Sequence, residues 1–251
     1  MKTFKTDKLV CNIYDSRDEM GFNAAQDAAE ILRSLLASKD EVNVIFAAAP
    51  SQNEMLKSLT EAEGIDWQRV NAFHMDEYSG LDKDAPQGFY NFLYRAVFSK
   101  LPFKSVHRIS CDKPADEAIR EYTELLAAYP CDLCLMGIGE NGHIAFNDPH
   151  EADFCDKAVI KAVTLDDTCR MQQVNDGCFK KFDDVPKQAL TLTVPTLVSA
   201  KHIICVVPAK TKANAVKRML TGEINEQCPA TAIRNHEHAA LYLDPDSASL
   251  L

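Results

Sequence analysis

The sequence predicts an α/β fold, a three-layer sandwich in which one mostly parallel sheet carries helices on both faces. Three observations lead there. β-like runs alternate with helix-like segments along the chain, the order that builds parallel sheets through helical crossovers. Several of those runs are apolar throughout, as strands covered on both faces are. The 251 residues, 46% hydrophobic and 25% charged, suit one soluble domain with a large core.

Taken in order, the first helix is expected over 17–37. Ser16 precedes Glu19 by three residues, a capping-box spacing, and Ala25, Ala28, Ala29, Leu32 and Leu36 recur at helical intervals. "VNVIFAAA" (42–49) reads as a strand, followed by a helix over 52–62. Ser51 and Glu54 repeat the capping-box spacing there, which makes Ser51 the expected N-cap. "VNAFHM" (70–75) is the next strand, and helices follow over 88–99 and 114–128. "CDLCLMG" (131–137), "ALTLTV" (189–194) and "HIICVVP" (202–208) read as further strands, the last leading into a helix over 211–220. No repeat, low-complexity block or Gly/Ser-rich linker divides the chain, so 1–251 is expected to form a single domain with a Rossmann-like sheet.

The composition excludes several function classes. A net charge of −10 without a basic patch argues against nucleic-acid and anionic-membrane partners. A small phosphate remains within reach of local devices such as helix N-termini. There is no 18-residue apolar run, so no membrane span is expected, and the start lacks the apolar stretch of a signal peptide. Nine cysteines, odd in number and irregularly spaced, fit reduced thiols and a cytoplasmic setting. Cys131 and Cys134 form a C-x-x-C, but on a strand. They are expected to be structural rather than redox or zinc residues.

In parallel sheets the ligand sits outside the carboxyl ends of the strands, so the residues after each strand are the candidates. After 42–49 comes Ser51, with Gln52 beside it. It is either a cap only or part of an anion site at a helix start. After 70–75 come Asp76 and Glu77, either an acidic surface turn or a carboxylate base. Adjacent residues of a strand face opposite ways, so one of the two is expected to reach a ligand. After 131–137 comes "GIGENGHIAFNDP" (137–149). Its glycines, among them Gly139 and Gly142, permit a path that turns backbone N–H groups towards a ligand. Hydrogen-bonding groups flank His143, and a carboxylate on one ring nitrogen would leave the other free as a base. After 202–208, Lys210 and Lys212 open a helix, where the dipole disfavours cations. That placement favours a reach towards a bound anion. A metal held by His74, Asp76 and His143 is a weaker reading, since the chain offers no close-spaced ligand pair. Neither metal nor cofactor is expected.

At these residues the chain resembles the glucosamine-6-phosphate deaminase (isomerase) family, related to 6-phosphogluconolactonases. "FHMDEYSGL" resembles the family's M-D-E-Y-x-G-L, and "GIGENGHIAFNDP" resembles its G-x-G-x-[DN]-G-H-I-[AG]-F-N-E-P. Looser matches continue to the C-terminus. Ile144, Phe146 and Asn147 favour the deaminase branch, where a lactonase would read more like G-x-D-G-H-x-A-S-L-F. The resemblance implies turnover of a hexosamine 6-phosphate to fructose 6-phosphate and ammonia by a metal-independent enzyme, classed here as a hydrolase. Asp76 matches the base that moves the C2 proton to C1. His143 matches the ring-opening residue, helped by Asn141 and Asp148. Ser51 and Lys212 match the phosphate grip, and Gln52, Glu77, Gly139, Glu140 and Gly142 complete the expected substrate contacts.

Four departures accompany the resemblance. "AAAPSQN" replaces the glycine-rich P-T-G-G-[ST]-P loop. Asn141 stands where the best-known bacterial form has Asp, which leaves Glu140 as a candidate to supply the charge. Asp148 replaces Glu. The family's second phosphate arginine has no clear match, Arg170 being the candidate, within a segment at about 151–186 expected to cover the site. The alternatives are a lactone hydrolase and a sugar-phosphate binder without turnover. Family members are often oligomeric, so a homo-oligomer is among the expectations. The sequence ends at "LYLDPDSASLL" without a long extension, which weakens the expectation of an allosteric hexamer.

Overall fold

A computed structural model describes residues 1–251. The elements run β1 (Lys2–Thr6), β2 (Leu9–Ile13), α1 (Arg17–Ser38), β3 (Val42–Phe46), α2 (Asn53–Thr60), β4 (Val70–His74) and β5 (Asp76–Tyr78). There follow α3 (Phe89–Leu93), β6 (Ser105–Val106), α4 (Ala115–Ala128), β7 (Leu133–Met136), β8 (Ile160–Thr164) and α5 (Asp167–Asn175). The chain closes with β9 (Gln188–Leu192), α6 (Val194–Val198), β10 (His202–Val207), α7 (Ala213–Thr221) and β11 (Ala239–Leu243). Single 3-10 turns, Pro50–Gln52 and Lys210–Lys212, precede α2 and α7. Ser16 caps α1 as its spacing predicts, its Oγ accepting the Glu19 N–H at 3.1 Å.

Eight strands form the main sheet in the order β1-β2-β11-β10-β7-β3-β4-β6. Only the β1–β2 pair is antiparallel. Every residue of β3, β4 and β7 is buried, because alternate side chains feed two separate cores. On one face Val44, Phe46, Leu135 and Val206 pack with α1, α2 and α3. On the other, Ile45, Phe73, Cys134 and Cys205 pack with α4, α6 and α7. Each large apolar side chain so buried contributes roughly 1.5–3 kcal/mol, which explains why these strands are apolar apart from the buried Asn43, Asn71 and His74. Cys134 belongs to this core, where burial pushes its thiol well up, as expected of a packing residue. No helix is long and apolar enough to cross a membrane.

From β3 the chain moves outward to β4 and β6, then returns to β7 on the other side of β3 and continues to β10 and β11. This reversal opens a crevice at the carboxyl ends of β3 and β7. The strand read at 189–194 does not join the main sheet. As β9 it pairs antiparallel with β5 and β8 in a second, three-stranded sheet. An apolar run specifies burial but not the partner. The small sheet stands at the end of β4, because β5 follows after Met75 alone, and its first pair is Asp76 with Thr191. The segment 151–186 holds β8 and α5.

Candidate active site

A cleft opens at the carboxyl ends of β3, β4, β7 and β10, the place where ligands bind in open parallel sheets. Of the residues expected from the sequence, Ser51, Gln52, Asp76, Gly139, His143 and Lys212 line it. Asn141 and Asp148 touch His143 without lining the cleft, and Glu77, Glu140, Gly142 and Arg170 lie outside its walls.

The loop after β7 folds back on itself, the Gly139 N–H donating to the His143 carbonyl at 2.9 Å. Position 139 has to be glycine, since a Cβ there would lie 2.1 Å from the His143 ring. Nδ1 of His143 faces Asn141 Oδ1 at 2.8 Å and Asp148 Oδ1 at 3.0 Å. The orientation of the Asn141 amide is determined twice over. Its Oδ1 also accepts the His143 backbone N–H at 3.0 Å, and its Nδ2 donates to Asp148 Oδ1 at 2.8 Å and to Asp166 Oδ2 at 3.3 Å. With only acceptors around it, Nδ1 carries the hydrogen, and the Nε2 lone pair is left for a ligand.

Asp148 is fully buried. Burial alone pushes its carboxyl up. The bond and charge of His143, the Asn141 amide and the Asp166 N–H together outweigh burial and hold the carboxyl below the usual carboxylate value. Asp148 is therefore an anion throughout the neutral range. Glu140 does not supply this charge. Its N–H donates to Gln172 Oε1 at 2.9 Å, and one of its carboxylate oxygens is buried with no partner. The second carboxylate of the network is Asp166, the N-cap of α5, whose Oδ1 accepts the Cys169 N–H at 2.6 Å.

Asp76, 6% exposed, opens β5. Burial first, and then the charge of Glu77, push its carboxyl well above the ordinary value. Strand alternation sends Glu77 the other way. It is fully buried and accepts the N–H groups of Tyr78, Phe89 and Tyr90 at 3.0, 2.9 and 3.0 Å. Glu77 thus closes the start of α3 rather than contacting a ligand. His74 holds the backbone of Asp76. Its Nε2 accepts the Ile109 N–H at 2.9 Å, so its Nδ1 carries the hydrogen and donates to the Asp76 carbonyl at 2.9 Å. Burial, and to a lesser extent the charge of Arg108, hold His74 down at about 3, against the bond to Asp76. Both ring nitrogens serve the fold, so a metal on His74, Asp76 and His143 has lost a ligand.

Ser51 is not a helix cap. Helix α2 begins at Asn53 behind the 3-10 turn, and neither helix start uses a side-chain cap. Glu54 pairs instead with Arg17 Nε at 2.9 Å. The Ser51 hydroxyl is left to the cleft, where Gln52 Nε2 donates to it at 3.0 Å. Lys212, 4% exposed, enters from the turn after β10. Burial pulls its ammonium below the ordinary lysine value, against the charges of Asp176 and Glu140. That turn starts at Ala209, a non-glycine residue at φ 80, a conformation costing roughly 1–3 kcal/mol. Both Asp244 oxygens hold the Ala209 N–H, at 3.2 and 3.0 Å.

Arg170 does not face the cleft. It donates to the carbonyls of Phe182 and Val185 at 3.1 and 3.0 Å and lies 4.0 Å from the Phe182 ring centroid. A buried guanidinium has to fill its donors, and the nearest acceptors belong to its own segment, so Arg170 ties α5 to 182–185. Gly142, at φ +93, makes the turn beside Cys228. Gln172 and Gln173 of α5, with Phe89, are cleft residues that the sequence had not singled out, and Phe146, read only as a branch marker, joins them. The two rings stack at 5.3 Å as an apolar wall. Two adjacent glutamines in a helix with little amphipathic character were the available signal.

The family model described as glucosamine-6-phosphate isomerases/6-phosphogluconolactonase matches residues 15–242. A glucosamine-6-phosphate deaminase of Listeria monocytogenes serotype 4a (strain HCC23) is 32% identical over 228 residues, 90% of this chain and 95% of the relative. One from Streptococcus pneumoniae serotype 4 (strain ATCC BAA-334 / TIGR4) is 33% identical over 225 residues, 89% of this chain and 94% of the relative. Among solved structures, a monomeric glucosamine-6-phosphate deaminase superposes with a TM-score of 0.87 at 27% identity, covering 96% of this chain and 99% of its own. A 6-phosphogluconolactonase from Thermotoga maritima shares the fold, with a TM-score of 0.76 at 19% identity over 93% of this chain and 98% of its own.

Proposed function

The chain belongs to the glucosamine-6-phosphate isomerase/6-phosphogluconolactonase family, and from that premise we propose that it deaminates a hexosamine 6-phosphate, isomerising aldose to ketose on the way. The observation that carries the reading is the pairing, in one cleft, of a histidine whose Nε2 is unbonded with a carboxylate whose proton affinity is raised. The C2–H bond is acidic only beside a free aldehyde, so the ring has to open first. His143 Nε2 takes the proton from O1 and returns it to the ring oxygen as the C1–O5 bond breaks. Asp148 stabilises the transient imidazolium across 3.0 Å. Asp76 then removes the C2 proton and delivers it to C1. O1 gains a proton as the enolamine forms, and the nitrogen loses one as it becomes a C2 ketimine; water then adds to C2, the new O–H proton passes to nitrogen, the C–N bond breaks and ammonia leaves. Burial suits Asp76 to this, because a base of raised proton affinity abstracts a carbon-bound proton more readily. Lys212 and the Ser51 hydroxyl hold the phosphate.

Incubation with glucosamine 6-phosphate should give equal amounts of fructose 6-phosphate and ammonia, followed by coupled dehydrogenase assays. Absence of ammonia from both glucosamine 6-phosphate and galactosamine 6-phosphate, with turnover of another hexose phosphate, would remove the deaminase reading.

A further inference from the structure

At the phosphate end of the cleft the loop after β3 reads "AAAPSQ", and the side chain of Gln52 folds across the start of the loop after β7. A Cβ on Gly137 would lie 2.8 Å from Gln52 Nε2. Gln52 is fully buried. The Val206 carbonyl, 3.1 Å from Nε2, sets the orientation of the amide, because only the NH2 end can face it. The second amide hydrogen goes to Ser51 Oγ at 3.0 Å. Nε2 has therefore used both its hydrogens within the protein, and Oε1 is buried with no donor. Gln52 nonetheless lines the cleft beside Ser51 and Lys212. An amide oxygen withdrawn from water and left without a donor is unfavourable, so a ligand donor there would relieve it.

The neighbours define which donor. Ser51 accepts from Gln52, so its own hydrogen is directed onward, and Lys212 brings an ammonium. Both satisfy phosphate oxygens, whereas a fully ionised phosphate offers Oε1 nothing. Oε1 therefore needs an O–H or N–H donor that the ligand brings besides its phosphate oxygens. On the sugar-phosphate reading, on which this rests, two groups carry such a hydrogen. One is the C5 hydroxyl beside the phosphate-bearing carbon, freed when the ring opens. The other is the P–OH of a singly charged phosphate.

We propose that Gln52 Oε1 accepts a hydrogen bond from a ligand O–H at the phosphate end of the cleft, which makes Gln52 a specificity-determining residue. The test is calorimetric binding of glucitol 6-phosphate, which has the C5 hydroxyl, and ethyl phosphate, which has no carbon-bound hydroxyl. Each is measured about two pH units above and about one below the phosphate's second pKa near 6. Gln52→Met should weaken glucitol 6-phosphate about tenfold and ethyl phosphate less than threefold if C–OH is the donor. If P–OH is the donor, both ligands weaken, and only at the lower pH. Equal weakening of both at both pH values would mean that Gln52 merely holds Ser51, and would overturn the proposal. A folded wild type that binds neither compound would defeat the sugar-phosphate reading itself, and this proposal with it.

Discussion

Replacing Asp148 by Asn isolates the charge behind His143. The carboxylate lies 3.0 Å from Nδ1 and is fully buried. The variant keeps an oxygen for Nδ1–H, and Asn141 Oδ1, 2.8 Å away, continues to fix the tautomer. What disappears is the attraction between a carboxylate and the imidazolium formed during ring opening. At 3.0 Å and an effective dielectric of about 20, that attraction is roughly 5–6 kcal/mol before desolvation. Burial of Asp148 opposes it, and the net worth of one charge-assisted hydrogen bond is about 1.5–3 kcal/mol. The expected loss in kcat is therefore about 10- to 150-fold, with KM changed less than threefold, measured by coupled formation of fructose 6-phosphate. The carboxyl is held below its usual value. Its contribution is thus complete above the ordinary carboxylate range and is lost only as pH falls below it, so the variant's deficit should be flat across neutral pH. A variant within threefold of wild type would refute the role of the charge.

Other outcomes follow from the same geometry. Asp76→Asn should abolish turnover while sugar-phosphate binding survives. The folded-state proton affinity of Asp76 is raised by burial and Glu77, so its contribution to stability is present at low pH and lost as pH rises through the folded value. The Asn variant should consequently melt higher than wild type at pH about 8, by roughly 2–4 °C per kcal/mol, and gain less in acid. Lys212→Ala should raise KM for the phosphorylated substrate about 10- to 150-fold, more than it lowers kcat. Because burial lowers the ammonium's proton affinity, wild-type KM should start to rise with pH below the ordinary lysine range. Arg170→Ala should lower stability by about 1–3 kcal/mol in urea unfolding and leave the KM of the folded enzyme within threefold. A large KM effect would restore Arg170 to the phosphate site. Asn141→Asp would put a second carboxylate about where Nδ2 now meets Asp148 Oδ1 at 2.8 Å. Like charges that close disfavour joint ionisation, so kcat should not rise.

The sheet was legible because strands covered on both faces are mostly apolar, and 42–49, 131–137 and 202–208 are so apart from Asn43, Asp132 and His202. Which sheet a strand joins was not legible. β9 is buried like β10 except at its first residue, yet its partners are β5 and β8. Asp76 and His143 could be found because each follows a buried strand. The alternation that separates Asp76 from Glu77 was also readable, although it did not say that Glu77 would close α3. Ser51 lines the cleft but does not cap α2, since the spacing to Glu54 does not reveal that Arg17, far away in sequence, takes that carboxylate. Arg170 shows the same limit from the other side. A cation in the right segment satisfied its donors on Phe182 and Val185. Asp166 and the two glutamines depend on where α5 docks, which no local pattern records.

The central claim is a division of labour, His143 opening the ring and Asp76 moving the proton between carbons. Exchange NMR on glucosamine 6-phosphate reads the first step alone, as the rate at which the two anomers interconvert. With Asp76→Asn the enzyme should still accelerate this exchange while forming no fructose 6-phosphate, and with His143→Gln the acceleration should vanish. Loss of anomer exchange in the Asp76 variant, or its persistence in the His143 variant, would contradict the account.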